Sequence, residues 1–148
     1  MKATLSSTKK LRKKGLRTTK AHAWRLFSKY IRLRDALKTT GDINYCKCFT
    51  CGRIEPIKNM DAGHFVSRRF NSTLFDERNV HSQCTYCNCF LSGNQLEYRR
   101  QLIKLYGEGI DIELKDKATE IKKYTIPELE EFIEELKGKI RTLQDVQT

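Results

Sequence analysis

The chain has 148 residues, 39% of them apolar and 32% charged, and 29 Lys and Arg against 18 Asp and Glu give a formal charge of +11. That suffices for one compact core with extensions and excludes a large multi-layer enzyme with deep internal cavities. No run of 18 apolar residues exists to span a membrane, and no apolar stretch follows the basic N-terminus, so a secretory signal is excluded and an intracellular setting is the expectation.

The excess charge sits at the N-terminus: residues 1–38 hold 13 Lys and Arg with one acid, Asp35, whereas residues 39–148 hold 16 basic and 17 acidic groups. Residues 1–20 have no acid and little apolar content, which predicts a flexible basic arm. Its Lys9, Lys10, Arg12, Lys13, Lys14 and Arg17 are candidate contacts to DNA phosphates, with counterion release as the driving force. Residues 21–44 follow as an amphipathic helix, with apolar positions Trp24, Phe27, Ile31 and Leu26, Tyr30, Leu33, Leu37, and a linker rich in breakers from Thr39 to Asn44.

Residues 45–93 contain all six cysteines and two of the three histidines in short, turn-rich pieces, as expected of a unit held by a metal rather than by a large apolar core. Residues 94–148 read as helical. Asn94 with Glu97 and Thr125 with Glu128 are candidate capping boxes, Gly107 stops the first helix, and residues 111–123 form another through Leu114, Ala118 and Ile121. The last helix carries Leu129, Phe132, Ile133, Leu136, Ile140, Leu143 and Val146 at alternating spacings of three and four, a seam for core packing or for a homodimer contact.

The two CxxC knuckles, Cys48–Cys51 and Cys84–Cys87, make a tetrahedral four-cysteine zinc site, since a two-residue spacer lets both sulfurs of a knuckle reach one ion. In a reducing compartment, metal binding outranks disulfides. Cys46 offers an alternative register, and Cys89 reads as a small buried hydrophobe. Four protein ligands close the coordination shell, so this zinc holds structure and does no chemistry.

Between and around the knuckles stand Asp61-Ala62-Gly63-His64-Phe65, then Asn79, 15 residues beyond His64, then Asn88 directly after Cys87. This pattern resembles the HNH endonucleases in their HNN variant, a ββα-metal motif braced by treble-clef CxxC pairs. The strings AWRLFSKYIRLRDA, CFTCG, DAGHFVSRRFNSTLFDERNVHSQCTYCN and SGNQLEYRRQLIKLYG further resemble the NinG (Rap) recombination proteins of lambdoid phages, over residues 21–145. The resemblance implies an α+β fold with a zinc-braced ββα-metal core and flanking helices. It also implies metal-dependent cutting of branched DNA, including Holliday junctions and displaced-strand structures, by a phage protein in the host cytoplasm.

Phosphodiester hydrolysis needs an activated water and a group that neutralises the developing charge. His64 is the candidate general base. Asn79, at the family position, would orient the imidazole or brace its loop, and Asn88, opening the helix after the second knuckle, offers an amide oxygen to a hard Mg2+ or Mn2+. Gly63 stands where many HNH motifs carry an acidic ligand. The nearest acid, Asp61, would lie on the opposite face of a regular strand, so its use as a ligand requires a bulge at Ala62-Gly63. His81 is an alternative ligand. Arg68 or Arg69 would grip a phosphate. A zinc-braced DNA-binding module that does not cleave is the other function these residues allow.

Overall fold

The computed structural model describes residues 15–146; Lys9, Lys10, Arg12, Lys13 and Lys14, assigned to DNA contact, lie outside the described residues. Helix α1 spans Leu16–Thr40. It opens five residues earlier than the apolar periodicity suggested, because Gly15 is the last breaker before it and Thr19 donates its amide and hydroxyl to the Gly15 carbonyl. Arg17 is therefore an exposed residue of the helix's first turn. The helix also runs through Thr39 and Thr40, expected as breakers, and stops at Gly41, left-handed at φ 74°.

Two small antiparallel sheets follow. Strands β1 (Tyr45–Lys47) and β2 (Ile54–Pro56) flank the first knuckle, and β3 (Met60–His64) pairs with β4 (Val80–Cys84) in a register running from Met60 opposite Cys84 to His64 opposite Val80. A loop containing the single turn α2 (Asn71–Leu74) joins β3 to β4. The second knuckle continues into a wide helical turn at Tyr86–Phe90, then α3 (Gln95–Tyr106), α4 (Ile110–Ala118) and α5 (Ile126–Asp145) complete the chain.

Helix α5 lies along α1. Leu129 and Ile133 pack with Ala23, and Leu136 with Phe27 and Ile31. The seam considered for a dimer is thus filled within the chain as far as Ile140, with Val146 at its end 68% exposed, and the Thr125–Glu128 capping box is formed on both sides. The Asn94–Glu97 box is not. Asn94 adopts a left-handed φ of 49° without a side-chain cap, and Glu97 turns outward to Arg100 and Gln101. Helix α4 ends at Ala118, leaving Ile121 91% exposed rather than on an apolar helical face. A second cluster packs Phe65 and Val66 against Tyr98, Leu102, Ile110 and Leu114. Among the described residues no helix is long and apolar enough to cross a membrane.

Candidate functional site

The four knuckle sulfurs come from the β1–β2 turn, the end of β4 and the wide turn that follows it. Cys48, Cys51, Cys84 and Cys87 bring their Sγ atoms within 4.8 Å of one another, with Cys51 and Cys84 3.8 Å apart. A tetrahedral ion at about 2.3 Å from each sulfur sets sulfur–sulfur distances near 3.8 Å, so these residues could hold a structural metal such as zinc. Gly52, at φ 76°, closes the first knuckle. Burial raises the Cys48 thiol, but backbone N–H donors from Cys51 and the Thr50 hydroxyl outweigh it and bring it down to about 7. Burial raises the Cys51 thiol and pushes Cys84 up to about 12, so Cys48 is the thiolate the fold favours and an ion would have to draw the protons from the others. Cys46 packs in the same buried cluster, but its sulfur is not one of the four that converge: it lies beside Thr39, and burial pushes its thiol up to about 11. Cys89, expected inside, is exposed.

His64 ends β3, and its ring lies 4.8 Å from Trp24 of α1, tilted by 30°; the Arg68 guanidinium stands over the same indole, 4.7 Å from its centroid. Its Nε2 lies 3.2 Å from the Leu74 carbonyl oxygen. A carbonyl only accepts, so Nε2 carries the proton and Nδ1 keeps its lone pair. Burial, reinforced by Arg68 against the Leu74 bond, lowers the imidazole to about 4. The ring is therefore neutral at physiological pH, as a base must be.

His64, Arg68 and Asn88 line one open cavity with Trp24, and a second hollow, sharing Trp24 and Arg68, adds Arg17, Lys20 and Arg69. The site thus continues into a basic surface. Asn88 sits in the wide turn after the knuckle, not at the start of a long helix as the sequence suggested. Its Nδ2 donates to Asp61 Oδ2 at 3.2 Å, which leaves Oδ1 as its acceptor. Strand β3 keeps its register through Ala62 and Gly63, so no bulge carries Asp61 to the His64 face; Asp61 meets the site through Asn88.

Asn79 is fully buried and does not touch the imidazole. Its Oδ1 accepts from Val66 N at 2.8 Å, and its Nδ2 donates to the Val66 and Thr73 carbonyls, so it braces the loop that presents Leu74 and Arg68. His81 faces elsewhere. Its ring nitrogens meet the Tyr98 and Tyr106 hydroxyls at 3.2 and 3.0 Å, and burial, with Arg34 and Lys38, holds it near 2, neutral but enclosed by tyrosines. Trp24 and the Leu74 carbonyl are site groups that sequence reasoning missed; the only signal was Trp24 on the inner face of the first helix.

Comparison with known proteins places the chain in a family. The family described as Bacteriophage Lambda NinG protein matches residues 2–146, so the chain belongs to the NinG family. It is similar to Protein ninG of Escherichia phage lambda, 32% identical over 99 residues, and of Salmonella phage P22, 33% identical over 99, each match covering 66% of this chain and 48% of the relative. Protein ninG of Escherichia phage 933W is 42% identical over 66 residues, 43% of this chain and 32% of the relative. The chain spans a third to about half the length of the curated relatives it matches. No solved structure matches.

Proposed function

We propose that this chain is a metal-dependent DNA endonuclease of the HNH type, braced by a treble-clef zinc and acting on branched recombination intermediates such as Holliday junctions and D-loops. The observation that carries this reading is His64: a neutral imidazole with its tautomer fixed by the Leu74 carbonyl, its Nδ1 free, in an open cavity shared with Arg68 and Asn88. A packed structural histidine has no need of an open cavity or of a basic surface leading into it.

Nδ1 of His64 takes the proton of the attacking water, the new P–O bond forms in line, and the P–O3′ bond breaks to leave a 5′-phosphate and a 3′-hydroxyl. The leaving oxygen recovers its proton from solvent. Arg68, clamped over Trp24, neutralises a phosphate oxygen. A bound Mg2+ or Mn2+ would supply Lewis-acid stabilisation of the developing charge, held by the Asn88 amide oxygen that Asp61 orients. An ion that keeps most of its waters and binds through one or two protein oxygens plus substrate phosphate fits this sparse donor set. Duplex DNA would run over Arg17, Arg68 and Arg69. Symmetric junction cutting calls for a homodimer, docked elsewhere than on the α5 seam that α1 already fills.

The test is cleavage of fluorescent four-way, flap and linear DNA with Mg2+, by wild type and His64→Ala. The expectation is cutting of branched substrates by wild type, reduced at least a hundredfold in the variant with DNA affinity retained. Binding without cutting by wild type would leave only a zinc-braced DNA-binding accessory module.

A further inference from the structure

A feature unused by this chemistry is a cavity of about 380 Å3 between α1, the first knuckle and α3. Phe49 and His81 form its floor, their rings stacked at 4.1 Å and 15°. Three lysines from three different elements stand around it: Lys38 from α1, Lys47 from β1 and Lys104 from α3. All three are exposed, and none has an acidic partner among the described residues. The one carboxylate in the lining, Asp35, is already engaged by Arg34 Nε and by Ser82 N, each at 2.8 Å. Three ammonium groups from separate elements, none with an acidic partner among the described residues, give the mouth a positive potential over an aromatic floor, which attracts an anionic occupant.

The two cavities lie on opposite faces of the β3–β4 pair. His64 and Ala62 alternate to one side, while His81, opposite Gly63, points to the other. They share no lining residue. We infer that the lysine-rimmed cavity is a second nucleic-acid subsite, which takes an unpaired nucleotide of single-stranded DNA with its phosphates on Lys38, Lys47 and Lys104 and its base against Phe49. Cationic grooves with aromatic platforms are the general solution for single strands, where every base offers a flat face. Gln101, also in the lining, adds an amide for the base edge or the sugar. The placement deepens the endonuclease reading and rests on it in one respect: a branch point sends one strand over each face, duplex to His64 and the displaced strand to Phe49.

The experiment uses the full zinc-loaded chain and two probes, a fluorescein-labelled oligo-dT of eight nucleotides and a labelled 20-base-pair duplex, followed by anisotropy across a salt series. The triple variant Lys38→Gln, Lys47→Gln, Lys104→Gln changes exposed side chains only. It should lose tenfold or more in oligo-dT affinity and about 2 in the slope of log K against log salt, at about 0.7 per phosphate contact, while duplex affinity moves less than twofold. Phe49→Leu should weaken oligo-dT severalfold with the salt slope unchanged. Oligo-dT binding by the triple variant at the wild-type affinity and slope, or no oligo-dT binding by the wild type, overturns the inference. Lysine-dependent oligo-dT binding by a wild type that cuts nothing upholds this subsite and sinks the endonuclease. Intact branched-DNA cleavage with lysine-independent oligo-dT binding does the reverse.

Discussion

Gly63→Ala is the most informative single change in the site strand. A Cβ at position 63 would stand 1.9 Å from Gln83 Oε1 and 2.8 Å from its Cδ. Gln83 is fully buried and cannot swing clear, because its Nε2 donates to Thr50 Oγ1 at 3.1 Å and to the Gly93 carbonyl at 2.9 Å. Each bond is worth about 1 kcal/mol net, and overpacking a closed site adds about 1–3 kcal/mol, so the substitution should cost about 3–5 kcal/mol. Urea unfolding followed by the fluorescence of Trp24, the only tryptophan, reads the global loss and the local site at once. The mechanism is specific to one contact: in a Gln83→Ala background the same step should cost under about 1 kcal/mol, a coupling of 2 kcal/mol or more. A single variant within about 0.5 kcal/mol of wild type, or additive costs in the double variant, would refute it. The same contact explains why no acid stands beside the base here, since a carboxylate at 63 would be driven into Gln83.

Chelation, or Cys84→Ser, should remove one zinc per chain by elemental analysis and melt the knuckle unit, as structural zinc carries about 10 kcal/mol or more of apparent binding free energy; a retained fold without zinc would contradict this. His64, lowered in the fold to about 4 from 6.5, refuses a proton that the unfolded chain accepts. Its contribution is therefore complete above about pH 6.5 and is lost as pH falls toward 4, about 3 kcal/mol in all, with His81 adding the same sign. Unfolding at pH 7 and pH 5 should show a steeper loss in wild type than in His64→Gln, and equal losses would count against a buried neutral ring. Asn79→Ala removes three loop bonds and should destabilise by about 3 kcal/mol, detectable as early hydrogen exchange of the Val66 amide. Deleting residues 1–14 removes six cations, and should flatten the salt dependence of duplex binding by up to about 5 in log–log slope while the remaining fold melts unchanged.

What the sequence disclosed follows from the range of each constraint. The four-cysteine cluster was legible because two-residue spacing is a local demand of a metal, and the candidate base His64 stood out because it lies in the segment the knuckles frame. The Thr125 box was legible for the same reason, as both partners sit within one turn. The failures are tertiary. Asn94 has the right residues for a cap, but the knuckle before it forces a left-handed backbone, with Nδ2 3.7 Å from Cys87 Sγ. Trp24 reaches His64 from 40 residues away, and Leu74 serves through a carbonyl that no side-chain pattern announces. Asp61 was expected as a ligand brought round by a bulge, whereas its contact is with Asn88, 27 residues on.

Helix α1 does more for the site than supply Trp24. A two-stranded sheet leaves a free edge on each strand, and β4 has no third strand beside it. Its outer groups are taken instead by an ion pair of α1 and by the first knuckle: Asp35 accepts from Ser82 N, Arg34 donates to the Val80 carbonyl at 2.9 Å and, just before the strand, to the Glu77 carbonyl at 3.1 Å, and Phe49 N donates to the Ser82 carbonyl at 2.8 Å. Side chains here substitute for a strand, and they fix where β4 stands against the helix. Val80 is the register partner of His64, so the same anchor sets the height of the imidazole against Trp24, ten residues earlier on α1. The four-cysteine cluster, which could hold a structural metal such as zinc, stands at the far end of β4 at Cys84. Anchored along its edge by Arg34 and Asp35, the strand pair positions His64 without a large core around it.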